Sequence, residues 1–374
     1  MRREDLKRAV RIVIKIGTSS LTFPNGKICA NKIDKLAASI ADISNSGRRP
    51  ILISSGAVAA GMGRMGCPPP SNLPEKQALA AVGQGLLMQM YEKYFAEYSQ
   101  CVGQMLLTRD CFSEPSRYLY SRNTLFSLLN YGVIPVINEN DTVAVEELRF
   151  GDNDTLSAMV ACIADADLLI ILSDIDGLYD SDPSLHENAR LIPEVLRITE
   201  EMEKNSTTRG SSISSGGMYT KLAAARITMA NGIPMIIANS SIDSVLLRLL
   251  DGEDIGTVFQ PRRGSYAGKL RQWLAVGSSA KGAIVIDEGA EEAILHRGTN
   301  LLPSGAVEID GNFSTGDVVS VLNALGEEIA RGVSNFDVDD ARKIIGRRTS
   351  EIKNILGRTD YEELINRYNM AILA

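Results

Sequence analysis

Two lysines stand where a polyphosphate could be neutralised. Lys15 lies near the end of an apolar run and opens Lys15-Ile16-Gly17-Thr18-Ser19-Ser20. A lysine at a strand end, followed by glycine and hydroxyl residues, can hold phosphate oxygens with backbone N–H groups and a fixed positive charge. The plainer alternative is a strand-end lysine before an ordinary turn. Lys221 closes Ser214-Ser215-Gly216-Gly217-Met218-Tyr219-Thr220-Lys221. A Ser/Gly loop feeding a helix, with a lysine one turn in, can cradle triphosphate oxygens; taken alone, the loop also reads as a flexible surface loop. It is not a Walker loop, because G-x-x-x-x-G-K-[ST] occurs nowhere in the chain.

Three further clusters carry candidate ligands. Ser54-Ser55-Gly56-Ala57-Val58-Ala59-Ala60-Gly61 follows an apolar run and opens a helix. Its small residues either admit an anion to the helix N-terminus or serve close strand–helix packing. Asn138-Glu139-Asn140-Asp141 follows another run, and Gly151-Asp152-Asn153-Asp154 starts a helix soon after. Two such clusters exceed what turn chemistry needs. A carboxylate there can bind a substrate ammonium, and others can orient lysines or reach Mg²⁺ through water. The alternative is an Asx turn plus a helix cap at Asp152 or Asn153. Ser173-Asp174-Ile175-Asp176-Gly177-Leu178-Tyr179 also follows an apolar run.

There is no Cys–His pair and no evident Ser–His–Asp set. Gly61-Met62-Gly63-Arg64-Met65-Gly66 spells G-x-G-x-x-G, but Cys67-Pro68-Pro69-Pro70 follows it and cannot open a helix. The segment should end a helix instead of binding a dinucleotide. The inventory suits phosphoryl transfer to a carboxylate. Such a nucleophile is already ionised at pH 7, with a glutamate pKa of about 4.3, and needs no base. The difficulty is charge repulsion, which lysines, Mg²⁺ and aimed N–H groups relieve.

Alternating strand and helix patterns must position these groups. Strands are expected at Val10–Ile16, Pro50–Ser54, Val102–Leu107, Val133–Ile137, Leu168–Leu172 and Pro234–Ala238. Helices fit from Asn31, as a cap, to Gly47, and over Glu75–Tyr98, Tyr118–Tyr131, Thr155–Ala164 and Met218–Asn231. In the long second helix Leu79, Val82, Leu86 and Met90 form an apolar stripe, and Gly83 and Gly85 suit close helix packing. Pro24-Asn25-Gly26 reads as a turn closing a small hairpin. Buried strands alternating with helices indicate βαβ units and a mostly parallel sheet, whose ligands bind beyond the strands' carboxyl ends. All the clusters above follow such ends.

With 374 residues the chain exceeds the ~250–300 at which one core stops growing. The pattern changes near residue 260. Short glycine-punctuated strands follow at Ala283–Asp287, Val307–Asp310, Val318–Leu322 and Glu328–Gly332, and the tail from Asp360 reads as an amphipathic helix or a frayed end. The expected division is 1–260, a linker at 261–280, a small β-rich domain at 281–358 and a tail at 359–374. A net charge of −7 argues against a whole-chain nucleic-acid binder. Five scattered cysteines, with no C-x-x-C, read as reduced thiols. The basic start lacks a cleavage site, and no stretch approaches the ~20 apolar residues of a membrane helix. Cytoplasm is the expected compartment, with no membrane partner.

Taken together, Lys15-Ile16-Gly17-Thr18-Ser19, Ser54 to Gly61, Gly103-Gln104-Met105-Leu106-Leu107-Thr108, Pro135 to Asp141, Gly151 to Asp154 and Gly216 to Lys221 resemble the amino acid kinase family. The likeness is to members acting on the side-chain carboxylate of glutamate and covers essentially the whole chain. The region with Asp287-Glu288-Gly289-Ala290, Arg297 to Pro303, Gly311-Asn312-Phe313 and Gly332-Val333-Ser334 looks like a PUA domain, a module otherwise known from RNA-modifying enzymes. The resemblance implies an α/β fold: a three-layer αβα sandwich with a mostly parallel sheet, plus a small C-terminal β-rich PUA-like domain. It implies ATP-dependent formation of L-glutamyl 5-phosphate, the first step of proline synthesis, with Mg²⁺ accompanying ATP and no protein metal site.

By the same likeness Lys15 and Lys221 would contact ATP phosphates and stabilise transfer, and Asp154 would orient them. Ser55, Gly56, Asp141 and Asn153 would bind glutamate. Gly17, Thr18, Ser173, Asp174, Ser215, Gly216, Gly217, Met218, Tyr219 and Thr220 would join the lysines around ATP. Ser173 and Ser215 stand where threonine is familiar, and both keep a hydroxyl. A homo-oligomer and hand-over of product to glutamyl phosphate reductase are also implied. Two other readings compete: a related kinase acting on acetylglutamate or carbamate, and an RNA binder. The second would use a basic strip of Arg262, Arg263, Lys269, Arg271 and Lys281, which equally reads as a solvated linker face; RNA binding is not expected.

Overall fold

The computed structural model describes residues 3–23, 26–144, 153–181, 183, 186, 188–206, 217–261, 280–358 and 361–373. The chain divides into two compact units, Met1–Phe112 with Ser121–Tyr266, and Ser113–Tyr120 with Ala267–Ala374.

The first unit is built on a sheet of β1 (Arg11–Ile16), β2 (Arg49–Ser54), β3 (Val102–Leu107), β4 (Ile134–Glu139), β5 (Leu168–Ser173), β6 (Glu194–Val195), β7 (Met235–Asn239) and β8 (Thr257–Phe259). Its order is β3-β4-β2-β1-β5-β7-β8-β6. All neighbours run parallel except β7 and β8. The central strands are nearly continuous Ile, Val and Leu because both faces are covered. The antiparallel β8 and the short β6 extend the sheet beyond the strands expected from sequence. Both are too short for periodicity to mark.

Alternation along β1 decides what each face receives. Ile12, Ile14 and Ile16 pack with Ile33, Ile40, Leu87 and Tyr91 of α2 (Ala30–Asn45) and α4 (Leu73–Glu97). The opposite face receives α7 (Asn153–Ile163) and α9 (Met218–Ala230), which pack on each other. Lys15 points to that second face. Cys29, not Asn31, precedes α2, and no side chain caps it. The turn residues Pro24 and Asn25 lie outside the described residues, but Thr22 and Ile28 form the antiparallel bridge expected of a hairpin.

α4 packs backbone to backbone against α3 (Ala57–Met65). A Cβ on Gly83 would lie 1.7 Å from the Ala57 carbonyl oxygen, and one on Gly61 2.1 Å from that of Leu79. A larger residue at either position must push the helices apart, so the approach expected at Gly83 is real, whereas Gly85 faces open space. This contact turns α4 one residue from the expected stripe. Ala80, Gly83, Leu87, Tyr91 and Phe95 are buried, while Val82 is 42% exposed. The G-x-G-x-x-G segment ends α3, with Gly66 in the left-handed region at φ 65°.

The second unit holds a five-stranded sheet of β9 (Gly282–Ile286), β10 (Ala306–Gly311), β11 (Val318–Leu322), β12 (Glu328–Val333) and β13 (Met370–Ile372), ordered β10-β9-β11-β12-β13. Its glycine motifs are structural: at Gly311, with φ 84°, a Cβ would lie 2.6 Å from Gly282 Cα. Asp287 caps the helix Glu288–Arg297 by accepting from the Ala290 N–H at 2.7 Å. Over its described residues, 361–373, the tail forms no amphipathic α-helix, only a short 3-10 turn at Arg367–Asn369 that leads into a strand. It supplies β13 and buries Leu364, Ile365 and Met370 in this unit's core. Its run of apolar residues answers a sheet edge that local periodicity cannot reveal. Of the proposed basic strip, Arg262, Arg263, Lys269 and Arg271 lie outside the described residues, and Lys281 pairs with Asp317 at 2.8 Å.

Candidate active site

The sheet's carboxyl edge gathers the chemistry. Asp154 is the second residue of α7, and its carboxylate lies between two ammoniums. Lys15 Nζ is 2.5 Å from Oδ1, and Lys221 Nζ is 3.2 Å from Oδ2. The three residues are 6%, 4% and 0% exposed for Lys15, Lys221 and Asp154 respectively. Each comes from a different element: the end of strand β1, the first turn of α9 and the first turn of α7. The Thr220 hydroxyl makes one further contact, donating to Asp154 Oδ2 at 2.9 Å, and it also lies 2.8 Å from the Gly217 carbonyl. The Ser157 hydroxyl donates to the Asp154 carbonyl at 2.6 Å.

Burial alone would raise the Asp154 carboxyl pKa, but Lys15, Lys221 and the hydrogen bonds from Lys15 and Thr220 outweigh it and hold the group at about 2. The carboxylate is therefore an anchor and not a proton acceptor near neutral pH. Together the two ammoniums and one carboxylate carry one net positive charge in a place largely closed to water. An arrangement of this kind favours an approaching anion. Gly17 follows the lysine by two residues, and a Cβ there would make only ordinary contact with Lys15 Nζ, at 3.8 Å. Thr18 opens the short helix α1 (Thr18–Leu21) directly after it.

Beside the lysines lies a neutral polar group. Asn153, the first residue of α7, places Nδ2 2.8 Å from Ser55 Oγ, 3.0 Å from Asn138 Oδ1 and 3.3 Å from the Ser54 carbonyl. Because Ser55 Oγ accepts from Asn153, its own hydroxyl hydrogen remains available to a carboxylate. Gly56 follows in the left-handed region at φ 104° and turns the chain into α3. The turn after β4 is closed by Asn140, whose carbonyl accepts the Val143 and Ala144 N–H groups and whose Oδ1 accepts from Thr142. Asp141 sits half-buried within that turn.

The remaining expected residues are dispersed along the same edge. Ser173 ends β5 and donates to Asp174 Oδ1 at 3.1 Å. Its carbonyl accepts the Ser240 N–H at 2.7 Å, and Ser240 Oγ bonds Ser20 Oγ at 2.7 Å, so α1, β5 and β7 are tied together. Gly217 and Met218 lead into α9, and Tyr219 is 55% exposed. Ser215 and Gly216, like Gly151 and Asp152, lie outside the described residues. Sequence reasoning missed Gln84, Ser240 and the Tyr91 hydroxyl, which bonds Ser54 Oγ at 2.7 Å. None of these belongs to a motif, and only folding brings them to the edge.

A parallel sheet with two lysines sharing one buried carboxylate at its carboxyl edge defines a phosphotransferase-like site, and the sequence comparisons agree. Residues 10–239 match the amino acid kinase family and residues 282–356 match the PUA domain. The chain belongs to the amino acid kinase family. Its relatives include the glutamate 5-kinase of Carboxydothermus hydrogenoformans, 50% identical over 99% of this chain and 100% of that one. The glutamate 5-kinase of Caldanaerobacter subterraneus is 48% identical over 97% of this chain and 98% of its own. That of Moorella thermoacetica is 48% identical over 98% and 97%.

Replacing Asp154 by asparagine keeps the shape and removes the charge that anchors both lysines. The Asp154→Asn enzyme should lose about 10²–10³-fold in kcat, the range typical of one lost transition-state contact. Its stability should depend on pH in a defined direction. A carboxyl held below its ordinary pKa of 3.8 stabilises the fold above that value and loses this contribution as pH falls towards 2. Urea midpoints of the two proteins should therefore differ at pH 7 and converge as pH drops below about 4. Parallel midpoints over that window would contradict the assignment.

Proposed function

We propose that this chain transfers the γ-phosphoryl group of ATP to the side-chain carboxylate of L-glutamate, forming L-glutamyl 5-phosphate, the first step of proline synthesis. The observation that carries the reading is the Lys15–Asp154–Lys221 arrangement, joined to full-length likeness with glutamate 5-kinases. The glutamate carboxylate attacks the γ-phosphorus, the bond to the β,γ-bridging oxygen breaks, and ADP leaves. No proton needs to be removed from the nucleophile. The barrier lies in bringing two anions together, and Lys15 and Lys221 lower it by neutralising charge on the transferred group. Asp154 holds the ammoniums in register without taking up a proton.

Ser55 and Gly56 at the start of α3 receive a substrate carboxylate, while Asp141 and Asn153 receive the α-ammonium. Gly17, Thr18, Ser173, Asp174 and the segment of Ser215, Gly216, Gly217, Met218, Tyr219 and Thr220 surround ATP. Mg²⁺ bound with the nucleotide supplies further neutralisation of the phosphates. Among the described residues no three His, Cys, Asp or Glu side chains gather into a metal cage; Mg²⁺ held largely by phosphate oxygens and water requires none. We take 1–260 as the kinase part, 261–280 as a linker and 281–358 as the PUA-like part, with 359–374 completing the latter's sheet. On this reading the chain acts as a cytoplasmic homo-oligomer, and its labile acyl phosphate passes to glutamyl phosphate reductase.

Hydroxylamine converts an acyl phosphate to a stable hydroxamate. Purified enzyme should form hydroxamate only when both ATP and L-glutamate are present. Product from N-acetylglutamate or carbamate, with none from glutamate, would overturn the reading.

Asp141→Asn separates ammonium recognition from turn closure. It should raise the glutamate KM roughly tenfold or more and leave the ATP KM little changed, since a charged hydrogen bond is worth ~1.5–3 kcal/mol. An unchanged glutamate KM would assign Asp141 to the turn alone.

A further inference from the structure

The polar chain that ends at Asn153 begins on α4. Gln84 Oε1 accepts a hydrogen bond from Asn138 Nδ2 at 2.9 Å. Asn138 Oδ1 accepts from the Glu139 N–H at 2.9 Å and from Asn153 Nδ2 at 3.0 Å. Asn153 Nδ2 also faces Ser55 Oγ and the Ser54 carbonyl. Backbone groups at two points fix the direction of this chain. A backbone N–H only donates, so Glu139 obliges Asn138 to present its oxygen. A carbonyl only accepts, so Ser54 obliges Asn153 to present its nitrogen. Asn138 Nδ2 is thereby committed as a donor and requires an acceptor from α4, which Gln84 provides. Asn138 is buried, where an unmet donor is costly.

Gln84 is well placed to hold that position. It follows Gly83, where the α4 backbone touches α3, and α3 starts next to Ser55 and Gly56. The helix bearing Gln84 and the loop bearing Ser55 are thus locked together. The consequence falls on Asn153. With Nδ2 shared among three protein acceptors, only Oδ1 is left for a ligand, and among the described residues nothing donates to it. An oxygen in this state reads a donor such as an ammonium and not a carboxylate.

We infer that Gln84 is a positioning residue that acts through Asn138 to keep Asn153 an acceptor for the substrate α-ammonium, and so helps select amino acids over the corresponding amine-free acids. The inference rests on the reading that free L-glutamate is the phosphoryl acceptor. Without Gln84 the buried Asn138 Nδ2 has no acceptor, the Asn138 side chain shifts to find one, and its hydrogen bond to Asn153 Nδ2 weakens, so that Asn153 is held less firmly. The selectivity of the pocket for a charged amine then weakens, although no residue that touches the substrate has been changed.

The test is steady-state kinetics on the full-length enzyme with glutamate and ATP varied in turn, and with glutarate, which lacks the amine, as a competitive inhibitor. Gln84→Met should raise the glutamate KM about tenfold, the size of one buried hydrogen bond, and leave the ATP KM within about twofold. The glutarate inhibition constant should stay nearly constant, so that the preference for glutamate narrows by the same factor. Gln84→Glu restores an acceptor and should recover most of the loss. It also serves if Gln84→Met fails to fold, because Gln84→Lys, which has no acceptor, can then be compared with it. Equal weakening of glutamate and glutarate, or an unchanged glutamate KM, overturns the inference while leaving glutamate as substrate. Absence of glutamate turnover in the unaltered enzyme overturns the underlying reading as well.

Discussion

One carboxylate shared by two ammoniums organises this molecule. Asp154 is fully buried, and a buried charge persists only when paired and hydrogen-bonded. Lys15 and Lys221 meet that need, and each is itself held by the same contact. Because the three side chains come from β1, α7 and α9, the pairing also fixes how those elements meet. Buried ion pairs are weak evidence of stability, since desolvation offsets much of the attraction. On the proposed function their retention makes sense as pre-organisation: two positive charges are held still before the phosphates arrive, so that little rearrangement accompanies transfer.

The rest of the fold can be seen as the means of delivering that arrangement. Strand alternation sends Ile12, Ile14 and Ile16 into the α2–α4 layer and leaves Lys15 for the α7–α9 layer. A one-residue slip of β1 would exchange the two and put the lysine in an apolar core. On the other face, the glycine contact between α3 and α4 brings Gln84 to Asn138 and sets the start of α3 beside Asn153. The lysine-paired carboxylate and the amide cluster therefore lie next to each other at α7, where Asp154 and Asn153 are consecutive residues, and on the proposed function they serve different ligands.

Much of this was legible in the sequence. Lys15 after an apolar run, paired Asx clusters after β4 and a lysine early in α9 each carry a local signature, because strand ends and helix starts are marked by short-range chemistry. What escaped reading was set by distant contacts. The buried face of α4 lies one residue from the apolar stripe Leu79, Val82, Leu86 and Met90, because apolar residues occur all round that helix and Gly83 decides its docking. β13 forms from a tail that has no meaning until β12 offers an edge. Gln84 has no motif around it, and its role exists only through Asn138.

The central claim is that Lys221 and Asp154 act as a unit, and a double-mutant cycle on kcat tests it most directly. Lys221→Ala and Asp154→Ala should each lower kcat severely, and the double variant should be little worse than the more damaged single variant, because either change already dismantles the arrangement. Losses that multiply in the double variant would mean that the two residues contribute independently, and would contradict the account.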